Sequence, residues 1–280
     1  SLNSTTSISL SAITGDMTAA AGLTLNAPTS ITTTGDLTAA GAVTLTANSG
    51  ITLNGSITTS TGDLNINANS SALALGSEIT LSSAGALILS ASNTTSAGNL
   101  VLTSTGSTIN VDNALVSQGA VTMTANSGLT LGNSTLTATG NINLQGGSSL
   151  SLASGMNISG GNITLGGTTI SANNGSLTLD STGSITVANA LTSLTTASLT
   201  ASSGLSMAGL SANGTVEINS GTGSTTITGA VTTTNNALSI TASDLVLTGS
   251  LNPGTSATTL NVSNNGSLGL GFTSGFAGMN

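Results

Sequence analysis

The chain has 280 residues, a net charge of −8 and no Lys, Arg, His, Cys, Trp or Tyr, so its properties rest on a short alphabet of Ser, Thr, Gly, Asn, Ala, Leu and Ile. A chain without one cation cannot neutralise phosphates or be drawn to anionic lipid, which excludes nucleic acid as a partner; it also lacks the His, Cys and Lys that serve as bases and nucleophiles. Because 37% of the residues are hydrophobic and 3% are charged, the chain has the apolar surface to fold, unlike a disordered segment, and must do so without salt bridges, disulfides or trypsin sites.

Read from the amino end, apolar residues alternate: Leu23 and Leu25, Val43 and Leu45, Ile51 and Leu53, Leu64 and Ile66, Leu87 and Leu89, Leu129 and Leu131, Ile185 and Val187. A period of two predicts strands with one buried face. Clusters such as Asn48-Ser49-Gly50, Asn54-Gly55-Ser56, Asn126-Ser127-Gly128 and Asn174-Gly175-Ser176 interrupt the strands and predict turns. No apolar run approaches the roughly eighteen residues of a membrane span.

The strands repeat. Ala42 to Leu53 (AVTLTANSGITL), Ala120 to Leu131 (AVTMTANSGLTL), Ala197 to Met207 (ASLTASSGLSM) and, more weakly, Ala237 to Leu247 (ALSITASDLVL) share one pattern, the first three at nearly equal separations. A second pattern recurs at Leu100 to Ser117, Leu177 to Ser193 and Val216 to Thr233. Together they predict two alternating half-units in a repeat of about 39 residues. Gly15-Asp16-Met17 against Gly35-Asp36-Leu37 puts the elementary turn near twenty residues. A repeat that stays in phase lets each strand sit on its own copy one coil later, which a sandwich does not require, so the expectation is a single all-β solenoid domain over residues 1–280 with about 14 coils. Inward Leu, Ile and Val would form its core, and outward Ser and Thr its faces.

The stretch Gly35 to Ile66 (GDLTAAGAVTLTANSGITLNGSITTSTGDLNI) resembles the repeats of filamentous-haemagglutinin-type adhesins of bacteria, and the likeness in pattern runs through nearly the whole chain. That resemblance implies a right-handed parallel β-helix (β-solenoid), export across an outer membrane, and an extracellular or cell-surface location. Two features depart from the family pattern: the sequence shows no secretion module ahead of the repeats, and its lack of Lys, Arg and His is more extreme.

Several residues invite a chemical reading. The Gly-Asp pairs at Asp16, Asp36 and Asp63 suggest a calcium ladder, but the matching positions in Gly98-Asn99-Leu100, Gly140-Asn141-Ile142 and Gly161-Asn162-Ile163 carry Asn, which favours a turn role and no metal. Stacking of Asp16 on Asp36 would likewise give a structural row, so neither an enzyme nor a cofactor is expected. Thr44 with Thr46, Thr52, and Thr122 with Thr124 suggest an outward hydroxyl array of the ice-binding kind, which Ser198 with Thr200 and Ser239 with Thr241 would interrupt. Asn-x-Ser/Thr triplets at Asn54, Asn93, Asn133, Asn174, Asn213 and Asn265 follow from composition. The only aromatic residues, Phe272 and Phe276, fall in Leu268 to Asn280, expected to cap the last coil or to dock on another subunit and build head-to-tail filaments. The expected function is a building block of an extracellular filament, sheath or adhesive stalk; alternatives are an adhesin for a receptor on a host or neighbouring cell and, more remotely, ice binding.

Overall fold

The computed structural model describes residues 2–3, 8–9, 17–132 and 135–264. Their secondary structure is all β, with strands linked by turns and bends and no helix, and every pairing is parallel. The chain divides into two compact units, residues 1–148 and 149–280. In each, a turn of the solenoid has three sides, and each side stacks on the same side of the next turn, giving three parallel ladders.

In the first unit the first ladder contains Leu23–Ala27, Val43–Ala47, Leu64–Asn67, Leu87–Ser90 and Ile109–Val111. The second contains Ile31–Thr33, Ile51–Leu53, Ala72–Leu75, Asn93–Ser96 and Ala114–Ser117. The third contains Met17–Ala19, Leu37–Ala39, Ile57–Thr59, Ile79–Ser83, Leu100–Ser104, Val121–Ala125 and Ile142–Gly146. In the second unit the third ladder contains Ile163–Gly166, Ile185–Val187, Leu205–Met207, Ser224–Ile227 and Asp244–Leu247. On the third ladder the described residues make about twelve turns, against about fourteen expected for the whole chain, and a turn is not a constant length. It is short where Leu191 pairs with Leu210 and long where Ile57 pairs with Leu81.

The register explains the core. On the first ladder Leu25, Leu45, Ile66, Leu89 and Val111 lie on one another and none is more than 1% exposed. On the second ladder of the other unit Ile158, Leu179, Leu199, Ile218 and Ile240 form an equivalent column, all fully buried. Each such side chain contributes about 1.5–3 kcal/mol by leaving water. A slip of one residue would turn the column outward, so stacking like on like pins the register.

The longer repeat is not a structural unit. Ala42 to Leu53 runs from the first ladder to the second, whereas its near copy Ala120 to Leu131 runs from the third ladder to the first of the next turn. In the second unit Ala197 to Met207 goes from second to third. The three sides are alike in length and in inward–outward alternation, so one strand–corner–strand motif fits any corner. The step from Ala42 to Ala120 carries the chain through three turns and two further sides.

Corners are tight. A Cβ on Gly62 would lie 2.4 Å from the Ala42 backbone nitrogen of the turn below, too close for any other residue. At one corner of the second unit the strand Thr169–Ser181 bends without a break: Asn173 and Asn174 take φ of 49° and 56°, the left-handed region that asparagine tolerates, and the register shifts beside them.

Candidate functional site

Two of the three acidic residues that suggested a metal ladder, Asp36 and Asp63, are turn residues. The Asp36 Oδ1 accepts the Ser56 N–H at 2.6 Å, and the Asp63 Oδ1 accepts the Ala86 N–H at 2.7 Å, each from the next turn. Asparagine does the same work: the Asn99 Oδ1 accepts the Ala120 N–H at 2.8 Å, and the Asn162 Oδ1 accepts the Ser184 N–H at 2.9 Å. An amide oxygen and a carboxylate oxygen are interchangeable here because the turn asks only for an acceptor of the neighbouring N–H. Nor do the described carboxylates stack. Asp36 has Ser56 above it, Asp180 lies between Ser159 and Thr200, and Glu217 between Ser198 and Ser239. Among the described residues no three His, Cys, Asp or Glu side chains come close enough to hold a metal ion. Asp16, Phe272 and Phe276 lie outside the described residues, as do the triplets at Asn133 and Asn265.

The hydroxyls fall into three groups, only one of which was legible as such. The first is buried. Ser83 is fully buried, and its Oγ lies 3.0 Å from both the Gly62 and the Ala86 carbonyl oxygens, which share its one proton. The Thr59 hydroxyl donates to the Gly62 carbonyl at 2.6 Å, the Ser220 hydroxyl to the Gly223 carbonyl at 2.9 Å, and those of Ser181 and Thr233 to the carbonyls of Ser184 and Asn236. In each case the acceptor is three residues on, so an inward hydroxyl at the end of a strand ties the corner that follows it. These residues were expected on the outer faces. The signal that identifies them is phase: Ile79, Leu81 and Ser83 continue one alternation, as do Val216, Ile218 and Ser220, with the polar residue in the inward position.

The second group sits at the corners and bonds between turns. The hydroxyls of Thr61, Thr182 and Thr222 donate to the carbonyls of Ala40, Gly160 and Ser202, each one turn away. With the backbone pairs they stitch each turn to its neighbour.

The third group points outward from mid-strand. Thr44 and Thr46 belong to the first ladder, Thr52 to the second, and Thr122 and Thr124 to the third, so the Thr-x-Thr array that the sequence suggested and its serines argued against does not form from them. The register assembles a different one. On the third ladder of the first unit Thr18 pairs with Thr38, Thr38 with Thr58, Thr58 with Ser82, Ser82 with Thr103 and Thr103 with Thr124. Thr18, Thr38, Thr58 and Thr124 are exposed, and Ser82 and Thr103 are half-buried. Six hydroxyls thus form one straight column on a sheet face, spaced by the inter-strand distance of about 4.8 Å. The chemistry available here is hydrogen bonding and water ordering, with no nucleophile activated and no acid–base pair assembled. No helix among the described residues is long and apolar enough to cross a membrane. Comparison with known proteins returns no match among family models, curated proteins or solved structures.

Proposed function

We propose that the chain is a structural building block of an extracellular filament, sheath or adhesive stalk. The observation that carries this reading is the uniformity of the coil-to-coil bond: in each unit turn is joined to turn by the same parallel pairing, with recurring corner hydrogen bonds, while the described carboxylates occur singly, Asp36 and Asp63 at turns and Asp180 and Glu217 on strands. Such a repeat does its work by stacking, and a further copy adds to it by repeating a bond already made many times within the chain. The pattern-level likeness of Gly35 to Ile66 to filamentous-haemagglutinin-type repeats supports a bacterial surface setting, in which freedom from trypsin sites is useful.

Negative-stain microscopy and sedimentation velocity of the purified chain test the proposal. End-to-end filaments that lengthen with concentration are expected, and removal of residues 271–280 is expected to shorten them if Phe272 and Phe276 dock the next copy. Single particles at all concentrations, with strong binding to a cell-surface receptor instead, would replace the filament reading with that of an adhesin.

A further inference from the structure

The face formed by the third ladder of the first unit differs from its surroundings in three respects. Its central column is hydroxyl-bearing at six consecutive turns, from Thr18 to Thr124, in unbroken register. The second outward column, read upward from Ser56, holds Thr80, Val101, Thr122 and Asn143, with Gln145 above Thr124, and carries no charge; the exposed Asp36 lies below Ser56 at its start. Its hydroxyls are also unspent. Whereas Thr61, Thr105 and Thr139 at the corners donate to carbonyls of the turn below, Thr18, Thr38, Thr58, Ser82, Thr103 and Thr124 make no side-chain hydrogen bond among the described residues. The sheet holds them at a fixed spacing that side-chain packing alone would not maintain.

From this geometry we infer that the face is a binding site for crystalline water. Each threonine of the column offers a methyl group beside a hydroxyl. The methyl cannot hydrogen-bond, so water above the row bonds to itself, and the neighbouring hydroxyl anchors that layer with one donor and one acceptor. Repeated at about 4.8 Å on a rigid backbone, the pattern comes close to the spacing of oxygens along one axis of hexagonal ice, and the anchored layer merges with the lattice. From Ser56 to Asn143 the face is neutral, as suits a neutral lattice; the Asp36 carboxylate, which accepts the Ser56 N–H, marks where that stretch ends. Sugar polymers, the other extended polyhydroxylated ligand, are recognised largely by stacking on aromatic rings, and the face has none. The inference is independent of filament formation, since it concerns the side of the solenoid.

Thermal hysteresis of the full chain, measured together with its incorporation into slowly growing ice, tests the site. The wild-type chain is expected to hold ice growth below the melting point and to partition into the ice. Thr58→Tyr, which sets a ring in the middle of the column, is expected to lose most of both activities, whereas Thr24→Tyr on the exposed side of the first ladder is expected to keep them. Circular dichroism melts establish that each variant is folded. Should Thr58→Tyr unfold, the double variant Thr58→Ser, Thr103→Ser removes two methyls and keeps the hydroxyls and is expected to weaken the hysteresis. A wild-type chain with no hysteresis and no incorporation overturns the inference, as does equal loss in Thr24→Tyr, or full activity in a folded Thr58→Tyr or in the double serine variant.

Discussion

The sharpest energetic contrast in the protein lies between two buried threonines. Thr225 points inward between Leu205 and Leu245 on the third ladder, is fully buried, and its hydroxyl has no partner. Thr233 is 2% exposed at the end of a first-ladder strand, and its hydroxyl donates to the Asn236 carbonyl. Replacing either by valine keeps the β-branched shape and exchanges hydroxyl for methyl. At 225 the change removes an unpaired polar group from an apolar column, whose burial costs about 1–3 kcal/mol in proteins, so Thr225→Val is expected to stabilise by about 1–2 kcal/mol. At 233 it breaks a corner bond and strands a carbonyl, so Thr233→Val is expected to destabilise by about 1–2 kcal/mol. Both can be read in one set of urea melts, with amide exchange at Leu205 and Leu245 as a local readout, since repeat arrays depart from two-state unfolding. If Thr225→Val proves as destabilising as Thr233→Val, the Thr225 hydroxyl has a partner, such as a trapped water, and the assignment of an idle polar group in the column is wrong.

Three further perturbations separate the forces in the fold. Asp36→Asn keeps the acceptor for the Ser56 N–H and is expected to shift stability by less than about 0.5 kcal/mol in melts with or without calcium, whereas Asp36→Leu is expected to cost about 1 kcal/mol. Gly62→Ala drives a methyl to 2.4 Å from the Ala42 nitrogen, which only separation of the turns relieves; a loss of roughly 1–3 kcal/mol is expected in the same melts. Deleting residues 23–42 removes one whole turn, because Leu23 pairs with Val43, and is expected to leave the β-sheet circular dichroism per residue unchanged; deleting residues 33–42 puts sequence on the wrong sides and is expected to abolish cooperative melting.

The strands and their parallel stacking were legible because alternation is a property of the chain itself: Leu64 and Ile66 bury the same face whatever lies above them. The length of the turn was legible too, from Gly15-Asp16-Met17 and Gly35-Asp36-Leu37, and Met17 does pair with Leu37. The higher repeat misled because similarity of sequence was taken for identity of place. AVTLTANSGITL and AVTMTANSGLTL match so well only because three nearly equivalent sides impose the same demand, and an equivalence of that kind leaves no mark on a single motif. What breaks the equivalence is the accumulated register: short turns such as Leu191 to Leu210 and long ones such as Ile57 to Leu81 add up along the chain, and no local pattern encodes a sum. Sorting the threonines depends on that sum. Thr44 and Thr122 sit in near-identical surroundings in sequence and on different sides in space, while Thr18, Thr38, Thr58 and Thr103, which share no long motif, fall into one line. The same logic applies to Ser83 and Ser220: their composition says surface, and their phase says core. In a chain with so few residue types, position in the coil carries the information that residue identity carries elsewhere, and any function of this protein is set by which side of the solenoid a common residue reaches.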